Sequence, residues 1–157
     1  MAKTTPPCDK THYSGDTLLA QLAPNAIDLA FLTAARSFFL SFCTGDTDVW
    51  IKTLLHADRF FPGHDSAEKM RLTLGVVHEM RQARRSNFRF SNPQCHCCSG
   101  VLTQDERYLL QMVQAARQQR LSDLCSSAML LCEGNETRKV IQAARAFADA
   151  FFCRERS

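Results

Sequence analysis

Cys95, His96, Cys97 and Cys98 follow one another inside NPQCHCCSG, residues 92–100. Thiolates bind zinc and iron well, and two of them separated by two residues can chelate one ion. Cys95 and Cys98 have this C-x-x-C spacing. The turn of such a knuckle aims backbone N–H groups at the sulfurs and steadies their charge. Pro93 stiffens the approach, and Gly100 supplies the tight backbone that follows a knuckle. His96 and Cys97 lie within the turn as competing ligands. A structural zinc site takes four ligands. Cys95, Cys98, Cys97 and His96 are therefore the candidate metal ligands, with zinc the expected ion and the set completed from elsewhere, including a second chain that pools its own knuckle. An iron–sulfur cluster fits less well, because it takes four cysteines within reach of one another. A thiol-redox role without metal and a turn that merely contains cysteines are the alternatives.

The remaining cysteines do not complete the set by spacing alone. Cys125 and Cys132 are seven apart on an expected helix, which separates them by roughly 10.5 Å of rise. Two sulfurs on one tetrahedral zinc lie about 3.8 Å apart, so at most one of the two can join. Both align with Leu121, Leu124, Ala128 and Leu131 and are expected to pack as small apolar residues. Cys43 and Cys153 end helical segments, and Cys8 lies in the N-terminal arm.

The histidines offer no rival centre. His12, His56, His64, His78 and His96 form no Glu-x-x-His pair. His78-Glu79 begins an H-E-x-x-H signature, but Gln82 stands where the second histidine belongs. No nucleophile elbow, phosphate loop or dinucleotide turn occurs among the six glycines. Catalysis is the minority expectation.

Ahead of the cysteines runs MRQARRSNFRF, with Arg81, Arg84, Arg85 and Arg89 and no acid between them. Arginine grips phosphate through forked hydrogen bonds, and Phe88 and Phe90 could stack on bases. A nucleic-acid surface is one reading. The other is that these arginines complement a helix C-terminus while the phenylalanines pack beneath a loop.

The elements that must position these residues are helical. Segment 25–43 has Asn25 as a cap and apolar residues around most of its circumference, so it belongs at the centre of the core. Asp46 can cap a helix over 47–58 with Trp50, Ile51, Leu54 and Leu55 on one face. Asp65-Ser66-Ala67-Glu68 resembles a capping box and opens a helix over 66–85. Residues 86–102 hold no helical period and are expected to form an irregular cysteine-rich loop. Thr103-Gln104-Asp105-Glu106 is the strongest cap and begins a helix over 104–118. Helices over 122–132 and 136–152 follow. Residues 1–15 read as a loose arm, and 16–157 as a single all-α bundle of about six helices.

Composition sets the frame for function. The chain has 157 residues, enough for one domain with a real core. Residues 1–90 carry eleven Lys/Arg against nine Asp/Glu, and 91–157 carry eight against seven, so bulk charge selects no partner. The first residues are polar and show no secretory leader. The apolar stretch Ala26–Cys43 is interrupted by Asp28, Arg36 and three hydroxyl residues, which suits a buried helix rather than a membrane span. A cytosolic location is expected, and there eight cysteines stay mostly reduced. These features predict a small regulatory or accessory protein with a zinc knuckle, acting through a protein partner. A metal-free homodimeric helical module and a thiol-responsive nucleic-acid-binding regulator are the alternatives.

Overall fold

A computed structural model describes residues 14–152. Helix α1, Ala26–Thr44, is the axis of the molecule. The Asn25 side chain accepts from the Asp28 N–H while the Asp28 carboxylate accepts from the Asn25 N–H, a closed capping box. Phe31, Ala34, Ala35, Phe38 and Phe39 are buried along α1. Gly45 ends the helix at φ 68°, with its N–H on the Ser41 carbonyl, a left-handed cap that glycine adopts without strain.

Helix α2 covers Thr47–Leu55, capped by Asp46, and folds back along α1. It stops earlier than its sequence period implies. At His56 the backbone leaves helical geometry, and the one-turn α3, Ala57–Phe60, follows. Helix α4, Ser66–Ala83, packs on α8 and α1. The capping box expected at its start is not formed. Asp65 sits in the left-handed region at φ 63° and its side chain caps nothing.

The stretch from Arg84 to Cys95 has no regular structure apart from bends and a turn, but Cys97 and Cys98 do not lie in a plain loop. His96–Ser99 winds into one helical turn, α5, and Val101–Leu102 forms a short strand, β2. Its partner is β1, Thr17–Leu18, paired antiparallel with Thr17 opposite Leu102 and Leu18 opposite Val101. Of the expected arm over 1–15, residues 14 and 15 lie in a turn ahead of β1, and the rest lies outside the described residues.

Helices α6, Gln104–Arg117, α7, Leu121–Leu131, and α8, Arg138–Phe152, complete the bundle. The described residues thus hold eight α-helices, six of them within a few residues of the expected ones and two single turns, besides a 3-10 turn at Leu19–Leu22. The core joins Phe31, Phe38, Met70, Met80, Leu109 and Phe147 with smaller side chains from α1, α4, α6, α7 and α8. Phe147 meets Phe31 edge-on at 5.0 Å between centroids, a geometry that aromatic quadrupoles favour. The all-α reading of the sequence is correct.

Helix α1 alone, among the described residues, is long and apolar enough to cross a membrane; half of that apolar window is buried against the other elements.

Candidate functional site: a pinned thiol turn

The turn that carries the cysteines is held by a buried ion pair. Arg36, from the middle of α1, meets Glu106, from the first turn of α6, through Nε–Oε1 at 2.7 Å and Nη2–Oε2 at 3.0 Å. Their side chains are 5% and 0% exposed. Burying two charges costs more than their attraction returns unless the remaining polar groups are satisfied. Here they are. Arg36 Nη1 donates to the Ser99 carbonyl at 2.8 Å, and Nη2 donates to the Val101 carbonyl at 2.9 Å. Glu106 Oε1 accepts the Ser91 N–H, and Oε2 accepts the Thr103 N–H, each at 3.0 Å. One pair thus holds backbone on both flanks of Cys95–Cys98.

Further bonds tighten the same segment. The Ser91 hydroxyl donates to the Val101 carbonyl at 2.6 Å, closing the segment across its base. Thr103 Oγ1 accepts the Glu106 N–H and donates to the Arg89 carbonyl. Asp105 accepts the Arg89 N–H at 2.9 Å. From the other side, the Leu19 N–H donates to the Gly100 carbonyl at 2.9 Å.

Within this frame Asn92 opens the turn. Its side-chain oxygen accepts the Gln94 N–H, and its carbonyl accepts the Cys95 N–H. The Cys98 and Ser99 N–H groups then donate to the Cys95 carbonyl at 3.1 and 3.0 Å. These bonds give α5 its helical form. Cys95 is buried, Cys98 half-buried, and His96 and Cys97 exposed. Cys95 is the N-cap of α5 with extended backbone, and Cys97 and Cys98 lie within the helical turn. Among the described residues no three His, Cys, Asp or Glu side chains come together as a metal set. Cys8 and Cys153 lie outside the described residues.

The other thiols divide differently from expectation. Cys132 is buried in the core, and burial pushes its thiol up. Cys125 is exposed, as is Leu121, because the inward face of α7 is Leu124, Ser127, Ala128 and Leu131. Leu124, Ala128, Leu131 and Cys132 lie inward as the spacing implies, and Leu121 and Cys125 fall outside that face. Cys43 is exposed at the end of α1.

The four arginines do not form one surface. Arg84 is largely enclosed, with a 6% exposed side chain, and donates to the Leu131 carbonyl at 2.6 Å and to Asp105 at 3.3 Å. It also faces Glu133 at 3.4 Å. Arg89 pairs with Asp16. Arg81 and Arg85 are exposed, and Arg81 lies over the Phe42 ring at 3.8 Å from its centroid. Glu133, bonded by the Ser86 hydroxyl and backbone N–H, is held below the usual carboxylate range. Sequence reasoning saw Arg36 only as an interruption of an apolar stretch and Glu106 only as a cap residue. The signal for Arg36 was present, since a lone arginine in the middle of the most apolar helix must find an acid or solvent.

The chain matches no protein-family model, no curated protein and no solved structure.

Proposed function

We propose that this chain is a small cytosolic accessory or regulatory protein that works by protein association, with a second copy of itself as the first partner. The observation that supports this is the orientation of α2. Its only buried residue is the polar Thr53. Trp50, Ile51, Leu54 and Leu55 are 37%, 39%, 36% and 73% exposed, although they are the large apolar residues of the helix. A helix that turns its apolar face outward is awaiting a cover. Its charges select that cover. Asp46 and Asp48 stand at the N-terminal end. At the other end Lys52, with His56 and Arg59 just beyond the helix, outnumber the one acid there, Asp58, and all of these residues are exposed. Two copies crossing antiparallel about a two-fold axis set each acidic end against the other's basic end, as a self-complementary interface requires. The ion pairs of α1, Arg36–Glu106 and Arg117–Asp28, support a role for that helix as a core element of a soluble bundle. Sedimentation over a wide concentration range tests the reading. A monomer–dimer equilibrium that Ile51→Glu abolishes supports it, and a monomer throughout ends it.

The pinned turn favours a second reading. A segment fixed at both flanks by buried charge carries Cys95 at the cap of a single helical turn and Cys98 within it, and zinc is the soft divalent ion that a C-x-x-C thiolate pair suits. The turn supplies two of four ligands. Pooling between two copies supplies four. Elemental mass spectrometry on chain purified without a metal-affinity tag tests it. Half an ion per chain, lost in Cys95→Ser, is the outcome for a shared site. Absence of metal together with unchanged stability of Cys95→Ser removes it. An iron–sulfur cluster would need the same pooling.

A further inference from the structure

A cleft of about 440 Å³ opens between the C-terminal ends of α1 and α4 and the start of the segment that follows α4. Its size falls in the range of small-molecule sites. The wall is aromatic on one side and cationic on the other. Phe39 stacks on Phe88 at 4.3 Å between centroids, and Phe90 lies 5.5 Å from Phe39. Phe42 and Cys43 line the α1 side. Arg81, Arg84 and Arg85 line the α4 side.

The charges there are not balanced. Asp105 and Glu133 both answer Arg84. Arg81 and Arg85 ion-pair with no acid among the described residues, although Glu133 acts on Arg85 at longer range. Three guanidiniums meet two carboxylates, so the cleft keeps positive charge. One donor is also unspent. Arg84 Nε is buried and has no hydrogen-bond acceptor, and a buried donor left unmade is costly enough to call for an explanation. Arg81 already lies over the Phe42 ring, 3.8 Å from its centroid.

We infer that this cleft binds a small phosphate ester with a flat ring, of mononucleotide size. The phosphate sits between Arg81 and Arg85, because a tetrahedral anion with several acceptor oxygens can take two guanidinium forks at once. The ring lies among Phe42 and Phe88. A long nucleic acid is the poorer fit, because backbone binding needs a row of cations, and here Arg84 and Arg89 are occupied by acids.

The test is calorimetric titration of the full chain with AMP and, separately, with inorganic phosphate. AMP should bind saturably and more tightly than phosphate. The double variant Arg81→Ala/Arg85→Ala should weaken AMP by roughly tenfold or more for each charged hydrogen bond removed. Phe42→Leu should weaken AMP strongly and phosphate less, because Phe42 also carries Arg81. AMP should also slow alkylation of Cys43 in the unaltered chain, followed by peptide mass mapping, which needs no variant to fold. Absence of saturable AMP binding, AMP binding that survives the double variant, or equal affinity for phosphate and AMP would each overturn the inference. So would stronger binding of a single-stranded oligonucleotide than of AMP, which would assign the arginines to a nucleic acid.

Discussion

Glu106 is the residue on which the thiol turn depends. It holds Arg36 and accepts two backbone N–H groups while fully buried. Glu106→Ala leaves a buried guanidinium and two buried donors uncompensated, and loss of one partner of such a pair costs about 3–5 kcal/mol. Chemical denaturation should show that loss, and replacing Arg36 and Glu106 together by apolar residues should recover part of it. Recovery should be incomplete, because the Ser91 and Thr103 N–H groups still lack acceptors. If Glu106→Ala is nearly neutral, the pair does not fix the segment. The thiols give a second test at this scale. Cys97, exposed on α5, should alkylate quickly, and Cys132, buried with its thiol pushed up, should react only as the chain opens. Equal rates at the two positions would contradict the burial pattern. Local chemistry made Glu106 readable as a cap, because T-x-x-E is a contiguous signal. Its larger role was hidden, since Arg36 lies 70 residues away and no local pattern joins the two.

The contrast between two helix starts shows which local signals survive folding. At Thr103 the side chain accepts the Glu106 N–H and also donates to the Arg89 carbonyl, so the cap is tied into the segment beneath it. Thr103→Ala should cost about 1–2 kcal/mol, the upper part of the range for a lost N-cap. At Asp65 the same type of sequence fails. After Phe61-Pro62-Gly63-His64 the backbone enters the helix with Asp65 at φ 63°, and its side chain makes no cap hydrogen bond. Asp65→Gly should therefore be neutral or stabilise by roughly 0.5–1 kcal/mol, since glycine removes the left-handed penalty. Thermal unfolding of the two variants side by side checks both, and a loss at Asp65 as large as that at Thr103 would mean the carboxylate has a role of its own. Helix positions were legible because apolar period and caps are local. The turn at His96–Ser99 was not, because four residues carry no period and their winding follows from Asn92 and the anchored flanks. The same limit explains α7, where Leu121 and Leu124 are equally apolar and only packing decides which turns inward.

At the scale of the whole molecule the question is whether the outward face of α2 is covered. Thr53 is the only buried residue of α2, so Ile51 and Leu55 contribute little to the monomer's core. Substitution at exposed positions away from caps and buried networks usually changes stability by no more than about 0.5 kcal/mol. Leu55→Glu should therefore leave the melting temperature of an isolated chain almost where it was. An associated chain behaves otherwise. Binding that favours the folded state stabilises it in proportion to the logarithm of partner concentration over dissociation constant. The melting temperature of the unaltered protein should then rise with protein concentration, while that of Leu55→Glu should stay flat. At high dilution the two curves should meet, because there both proteins are monomers. The charges add a second dependence. Asp46 and Asp48 set against Lys52 and Arg59 across an antiparallel contact would be screened as ionic strength rises, so salt should reduce the concentration dependence of the unaltered protein and leave the variant unaffected. A melting temperature that ignores concentration in both proteins would mean that α2 is not covered by a second copy. A concentration dependence that Leu55→Glu does not remove would move the interface to another face, and exposed Leu121, Met129 and Leu130 of α7 would be the next place to substitute.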